Sequence, residues 1–496
     1  MHRFQFFQSE GRQPLTELAG AHVVGADGVP VRAEFSLADG EVRCESRSQE
    51  PAGLSLLWPV SGFGTLQLET TRLPARPAPY HLHVELTRHR LLRLNLKREE
   101  WGLFDYRGME EIGEQIDHAR QRFIEALQKL SSPEQAARIA DEALREAMWA
   151  SERMARFHAS VFLGRRQQSG GFARGYFGAS LPGGPVNAAL VKAARSLIDF
   201  VRVPLTWRDI QPKEQGSQYD SVDACLKACS SVKMPVRSGP LLNFGVQFLP
   251  DWIYIWENDF EEVFDFARDH IRRTVERYGN SITHWTVASG LHADNALSFN
   301  FEQIMELTRM AATVTRQAAP RSQILVDLTQ PWGEYYARNQ RSIPPLLYAD
   351  MLVQSGVPFD AFGLQFVFGI DYDGYHFRDL LQISALIDRI ANLGKPLHVT
   401  AIAAPSAAPE GKPVPIGTGG QWHESWTEKS QADWLVALCE IALSKPYVET
   451  ICLQTIADGR DSGVPFSGVL REDLSPKQAY NRLLEMRKQL QAEPPK

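Results

Sequence analysis

Glu334 stands beside a tryptophan and two tyrosines in Thr329-Gln330-Pro331-Trp332-Gly333-Glu334-Tyr335-Tyr336, and Glu424 and Glu428 stand among tryptophans in Gln421-Trp422-His423-Glu424-Ser425-Trp426-Thr427-Glu428. Acids set beside flat aromatic rings suit the cleavage of a glycosidic bond. The ring covers the C–H-rich face of a sugar while the carboxyl group works on the glycosidic oxygen. Two carboxyl groups are needed, about 5–5.5 Å apart in a retaining enzyme or about 6.5–9.5 Å apart in an inverting one. Glu334 and Glu424 are the best candidates for such a pair. Asp294 is a further acid, whereas Asp371 and Asp373, beside Gly369 and Gly374, fit a turn, and Glu428 fits a helix start where its charge complements the dipole. Trp207, Trp252, Trp332, Trp422 and Trp426 all fall in segments read below as loops and together predict a ligand cleft. Trp256, Trp285 and Trp434 are assigned to the core.

Other chemistries find no support. The 13 histidines show no helical i, i+4 pair with a third donor, so neither a metal site nor a cofactor is expected. His398 reads as a satisfied core residue. Gly178-Ala179-Ser180-Leu181-Pro182-Gly183-Gly184-Pro185 is glycine-rich but lacks the Lys-Ser/Thr of a phosphate cradle, and reads as a mobile loop. No Ser/His/Asp arrangement is visible. A net charge of −6 with acids and bases intermixed excludes the basic footprint of a nucleic-acid-binding protein. No run of about 18 apolar residues could cross a membrane. The N-terminus lacks the pattern of a signal peptide. The five cysteines form no CxxC, and Cys225 and Cys229 share a helix face as packed thiols, so a reducing cytoplasmic location is expected.

These residues need a scaffold. At 496 residues and 44% hydrophobic, the chain predicts two or three globular domains. Residues 1–104 read as a β-sandwich, possessing alternating runs such as Leu66-Gln67-Leu68-Glu69-Thr70 and His81-Leu82-His83-Val84-Glu85-Leu86, with turns at Ala26-Asp27-Gly28 and Ala38-Asp39-Gly40. Residues 105–169 read as a helical connector. Ile112, Ile116, Ala119, Phe123, Ala126 and Leu130 form one stripe, and Ser132, Pro133 and Gln135 predict a capped second helix. Residues 170–490 alternate eight apolar runs with amphipathic helices: Tyr176–Ala179, Phe200–Pro204, Pro240–Phe244, His284–Ala288, Ile324–Leu328, Ala361–Phe366, Leu397–Ile402 and Val448–Gln454. Eight β/α units predict an α/β (β/α)8 TIM barrel, whose chemistry lies at the C-terminal ends of the strands.

Within that frame a family pattern is present. Leu205-Thr206-Trp207-Arg208-Asp209-Ile210-Gln211-Pro212, Phe248-Leu249-Pro250-Asp251-Trp252, Tyr278-Gly279 ahead of Trp285, Gly363-Leu364-Gln365, Leu393-Gly394-Lys395-Pro396 and Pro476-Lys477-Gln478-Ala479-Tyr480 follow one another in order. The run resembles glycoside hydrolase family 10, the endo-xylanase family of retaining barrels, over roughly residues 175–490. The resemblance implies catalytic glutamates at the ends of strands four and seven. Gly290 and Ala401 stand at the aligned positions, with Ser289 in place of the asparagine before the acid. Around them Thr206 replaces a lysine, Gly239 or Pro240 and Val367 replace histidines, and Gln454 replaces a tryptophan.

The function expected is therefore carbohydrate recognition without the family's hydrolytic step, in a cleft built from Trp207, Trp252, Trp332, Gln365, Trp422 and Trp426, with an oligosaccharide or polysaccharide as ligand. The alternatives are a hydrolase using the relocated carboxylates Glu334 and Glu424, and a non-catalytic assembly protein.

Overall fold

The computed structural model describes residues 1–7, 18–47, 50–172, 175–182, 188–408, 419–459 and 463–491; residues 183–187 of the glycine-rich loop lie outside them. The N-terminal segment forms two largely antiparallel sheets. One orders Ala33–Ala38, Glu41–Ser46, His2–Gln5 and Tyr80–His81; the other orders Gln421–Trp422, Gly64–Glu69, Gly53–Val60, His22–Val24 and Pro30–Val31. Asp39 and Gly40, both at positive φ, make the two-residue hairpin that the sequence signals. Phe4, Val42, Leu54, Leu56 and Trp58 are buried in a core continuous with that of the barrel.

The helical segment starts earlier than expected. His81–Leu86 was read as a strand, but Leu82–Glu100 is a helix, α1. The six-residue alternation misleads because this helix is packed on several sides. His83, Thr87, Arg90, Leu94 and Lys97 are buried together with Leu82, Val84, Leu86 and Leu91, so both sets of an apparent two-residue period face protein. α2 (Glu110–Gln128) buries the expected stripe through Ala126, while Leu130 lies beyond its end and is exposed. α3 (Pro133–Gln168) is a single helix of 36 residues. It starts at Pro133 as expected, but the Ser132 side chain makes no capping hydrogen bond, so the expected capping box is absent.

All eight predicted barrel strands are present and parallel. They are Phe177–Ser180, Phe200–Val203, a third in two pieces, His284–Ser289, Gln323–Leu328, Ala361–Val367, Leu397–Ala403 and Val448–Leu453. The third strand breaks at Gly239. Val236–Ser238 pairs with strand two and Pro240–Leu242 pairs with strand four. The Gly239 amide donates to the Val203 carbonyl at 2.6 Å, and a Cβ there would approach that carbonyl to 3.0 Å. The ring closes where Ile451 of strand eight faces Phe177 of strand one. Helices return the chain between strands, several with side-chain caps: Asn300 with Gln303, Asp379 with Gln382 and Thr427 with Ser430 form capping boxes. The fold is thus a (β/α)8 barrel preceded by antiparallel sheets and helices.

Candidate functional site

Charge sits inside the barrel as well as at its rim. Arg202 of strand two, only 8% exposed, and fully buried Asp327 of strand five form an ion pair at 2.8 Å. The guanidinium also donates to Thr286 Oγ1 at 3.0 Å and to the carbonyls of Ser238 and Thr400 at 3.1 and 3.2 Å. Gln365 Nε2, from strand six, donates to Asp327 Oδ2 at 3.0 Å and to Ser289 Oγ at 3.3 Å. A buried charge is tolerated only when paired and hydrogen-bonded, and this network meets both conditions for Arg202. Sequence reading passed over the pair. The signal was present: one Arg inside Phe200-Val201-Arg202-Val203 and one Asp inside Ile324-Leu325-Val326-Asp327-Leu328, opposite charges in two runs that otherwise face apolar surroundings.

Above this network, the ends of strands four to six gather a second polar group. Gly290 follows strand four at φ +71°. The Ala293 and Asp294 amides both donate to its carbonyl, at 2.9 and 2.8 Å, in a tight turn that carries Asp294. Gln330, after strand five, donates from Nε2 to Asp294 Oδ2 at 3.4 Å. Burial raises the Asp294 carboxyl above its ordinary value, only partly offset by Gln330. The Tyr375 hydroxyl is pushed up to about 12 by burial and then by Asp294, and exposed Tyr372 lies beside it with ring centroids 6.1 Å apart. Gln330 holds a positive φ of 44°, a strained conformation for a non-glycine residue of the kind that clusters at functional sites. Gly374 packs so closely that a Cβ there would lie 2.6 Å from the Gln330 side chain.

Four buried side-chain atoms in or just after strands five and eight have no hydrogen-bond partner among the described residues: Asp327 Oδ1, Thr329 Oγ1, Gln330 Oε1 and Gln454 Oε1. Buried polar atoms are paired in the great majority of cases, and Thr329 and Gln330 leave two adjacent acceptors unmet just after strand five.

The residues that the sequence aligns with the family's site, Gly290, Ala401, Thr206 and Gly239, each take part in packing or backbone geometry. Gly290 turns the chain, and a Cβ on it would meet Thr329 Oγ1 at 3.0 Å. Ala401 is buried in an apolar cluster with Val367, Ala403 and Val464. Thr206 caps the short helix Trp207–Ile210 by accepting from the Asp209 amide, and Gly239 interrupts strand three.

The candidates proposed for a relocated pair are not brought together. Glu334 is buried and ion-paired with Arg378, close enough to His22 of the N-terminal sheet to act on its charge. The Glu424 side chain is 59% exposed and 3.9 Å from Lys429, in a shallow cleft with Arg156 and His423. The expected tryptophan cleft also needs correction. Trp207, Trp252, Trp422 and Trp426 are buried. Trp207 and Trp252 pack edge to face, and Trp207 stacks on His270 of the Phe260–Tyr278 helix. Trp422 donates to Glu152 of α3 at 2.9 Å, because the segment after strand seven folds back as Gln421–Trp422 on the edge of the N-terminal sheet. Trp426 donates to the Gly420 carbonyl at 3.1 Å. Trp332 is half-buried at the junction of barrel and N-terminal sheet, with the Arg378 guanidinium 5.1 Å from its ring. Of the expected binding residues, only Gln365 belongs to the polar network inside the barrel. Of the residues assigned to the core, Trp285, Trp434 and His398 are buried, and His398 bonds to Thr450 Oγ1 at 2.7 Å. No group of three or more metal-ligating side chains occurs among the described residues.

No curated protein matches the chain. Among solved structures, it is similar to xylanase 10B of Thermotoga petrophila RKU-1 in complex with xylobiose, at 18% identity over 66% of this chain and 97% of that one, with a TM-score of 0.48. It is similar to native xylanase 10B of Thermotoga maritima at 18% identity, 66% and 98% coverage and a TM-score of 0.46. A family 10 protein of Paenibacillus barcinonensis matches at 18% identity, 63% and 95% coverage and a TM-score of 0.48. The family model described as glycosyl hydrolase family 10 matches residues 203–486, more than half of the sequence, and the chain belongs to that family.

Proposed function

We propose that the protein binds an oligosaccharide at the barrel mouth without cleaving it. The observation that carries this reading is the set of unpartnered acceptors following strands five and eight, Thr329 Oγ1, Gln330 Oε1 and Gln454 Oε1. A sugar presents a row of hydroxyl donors and a C–H face. The first would satisfy these acceptors, and the second would lie on Tyr372 and Tyr375 in place of the tryptophans expected from the sequence. The absence of hydrolysis is supported by the residues at the family's two catalytic positions. Gly290 has no side chain and Ala401 is apolar, and Val367 and Val464 pack beside Ala401, so no carboxyl pair flanks a glycosidic bond there.

A second reading rests on Asp294. Its carboxyl group is raised by burial, the direction that suits a general acid. Under that reading the acid of strand four has moved four residues along the chain and hydrolysis continues.

Native mass spectrometry with xylo- and cello-oligosaccharides, followed over hours, separates the two. Intact sugar bound to the protein, with no shortened products, is the expected result. Shortened products that disappear in Asp294→Asn would establish the hydrolytic reading instead. Neither binding nor cleavage would remove the carbohydrate reading and leave the assembly role.

A further inference from the structure

A groove runs along the outside of the barrel beside the Leu380–Ala391 helix, with α1 as its other wall. At the end nearer the N-terminal sheet it opens into a cavity of about 240 Å³. At the other end lies a cavity of about 450 Å³, bordered by Trp101, His158 and Tyr447. Arg93, Lys97, Ala385 and Arg389 line both, so the two adjoin along the groove. Together they reach the size of an ordinary small-molecule site, roughly 300–1,000 Å³.

The charge on its walls is predominantly positive, with Lys445 added in the second cavity and Glu100 and Asp388 as the acids there. Arg72, Arg90, Arg93, Lys97, Arg378 and Arg389 line the first cavity against one carboxylate, Glu69. Some of these cations are neutralised by acids that do not line it. Arg90 pairs with Asp379 at 2.5 Å, Arg378 pairs with Glu334, and Lys97 pairs with Glu100 and Asp388 at 2.5 and 3.1 Å. Arg72 shares Glu69 at 3.4 Å. Arg93 and Arg389, at the junction of the two cavities, have no ion pair among the described residues. Both side chains reach solvent, and the Arg389 guanidinium is lowered from its ordinary value by partial burial and then by Arg93, against the opposing pull of Glu69 and Asp27. Deeper in, the Arg378 side chain is 2% exposed, and its Nη1 has no hydrogen-bond partner among the described residues. An unpaired guanidinium N–H buried at a cavity wall is costly unless an acceptor reaches it. The remaining wall is mostly apolar, with Val24, Leu68, Trp332 and Leu386, and its other polar members are His22, His89 and Gln382.

We propose that this groove binds a small organic anion, a phosphate or carboxylate carried on an apolar or ring-shaped body. The anionic group lies between Arg93 and Arg389, where planar guanidinium groups can grip it with paired hydrogen bonds. The body extends toward Trp332 and offers an acceptor to Arg378 Nη1. The site is on the flank of the barrel and is independent of any sugar bound at the mouth.

Isothermal titration calorimetry of the full chain at low ionic strength tests this, with phenyl phosphate and phenyl β-glucuronide as probes. Saturable binding of at least one is expected, and which one binds separates a phosphate from a carboxylate ligand. Arg93→Glu/Arg389→Glu should weaken that binding by roughly tenfold or more, while Arg93→Lys/Arg389→Lys should hold it within about threefold. If the charge-reversed protein fails to fold, Arg389→Gln alone must still weaken binding. Failure of both probes to saturate the wild type, or equal affinity in the wild type and the glutamate or glutamine variants, would overturn the proposal.

Discussion

Arg202 and Asp327 meet at 2.8 Å across the inside of the barrel, and the missing side chain of Gly363 leaves the room for the carboxylate. A Cβ on Gly363 would fall 1.9 Å from Asp327 Oδ1. The pair fixes strands two and five, while Gln365 extends it toward Ser289.

Breaking this pair on one side should be worse than removing it whole. Asp327→Ala leaves a buried guanidinium uncompensated and is expected to cost about 3–5 kcal/mol. Arg202→Met combined with Asp327→Ala should recover a large part of that loss. Urea titration of the two single variants and the double variant gives the coupling directly; additive losses would mean that the two side chains do not act as a unit. Gly363→Ala should cost about 1–3 kcal/mol through overpacking against Asp327.

Replacing the strand-end residues by glutamate should not create a hydrolase. At Gly290 a side chain meets a left-handed backbone, worth about 1–2 kcal/mol, and the 3.0 Å approach to Thr329. At Ala401 a carboxylate would be placed against Val367 and Val464. Gly290→Glu/Ala401→Glu is therefore expected to melt lower than the wild type and to release no additional nitrophenol from an aryl xylobioside. Release that depends on both glutamates would show that the mouth retains a working geometry.

Glu334 and Glu424 should respond to truncation to very different extents. Glu334→Ala strands the buried Arg378 guanidinium and is expected to destabilise the fold by about 3–5 kcal/mol. Glu424→Ala touches only an exposed pair with Lys429 and should stay within about 0.5 kcal/mol of the wild type. Thermal melts of both variants suffice as the measurement.

Stability should fall on mild acidification. Burial holds His158, His270 and His292 down, to about 3, about 3 and about 4, against about 6.5 in the unfolded chain. Their folded values are lowered, so the contribution is fully present above pH 6.5 and is lost as pH falls toward 3–4. Each histidine costs about 1.4 kcal/mol at pH 5.5 because the unfolded chain takes up a proton that the native state refuses. The slope of unfolding free energy between pH 7 and pH 5.5 should flatten in His270→Leu, and an unchanged slope would mean that His270 is charged in the fold.

The barrel was legible because each of its strands is a short apolar run followed by an amphipathic helix, and all eight runs lie within a few residues of their observed bounds. α1 was not, because burial on several sides erased the helical period from residues 81–86. The mouth was legible only in part. Gln365 could be read as a strand-six residue, whereas the tryptophans could not be placed. Whether Trp422 faces a ligand or a core depends on where the segment after strand seven folds, and its partners, Gly64 in the sheet and Glu152 on α3, are remote in sequence. The groove beside α1 was invisible for the same reason: its cations come from segments hundreds of residues apart.

The short strand Gln421–Trp422, paired to Thr65 and Gly64, also ties the late part of the chain to its beginning. The N-terminal sheet is translated first, yet its edge stays open until seven barrel strands have been made. Cutting the chain where the family match begins, at residue 203, would therefore leave that strand with nothing to join and expose Trp422 to solvent. The boundary drawn by kinship and the boundary of the folding unit are different lines, and an expression clone designed on the first would divide the second.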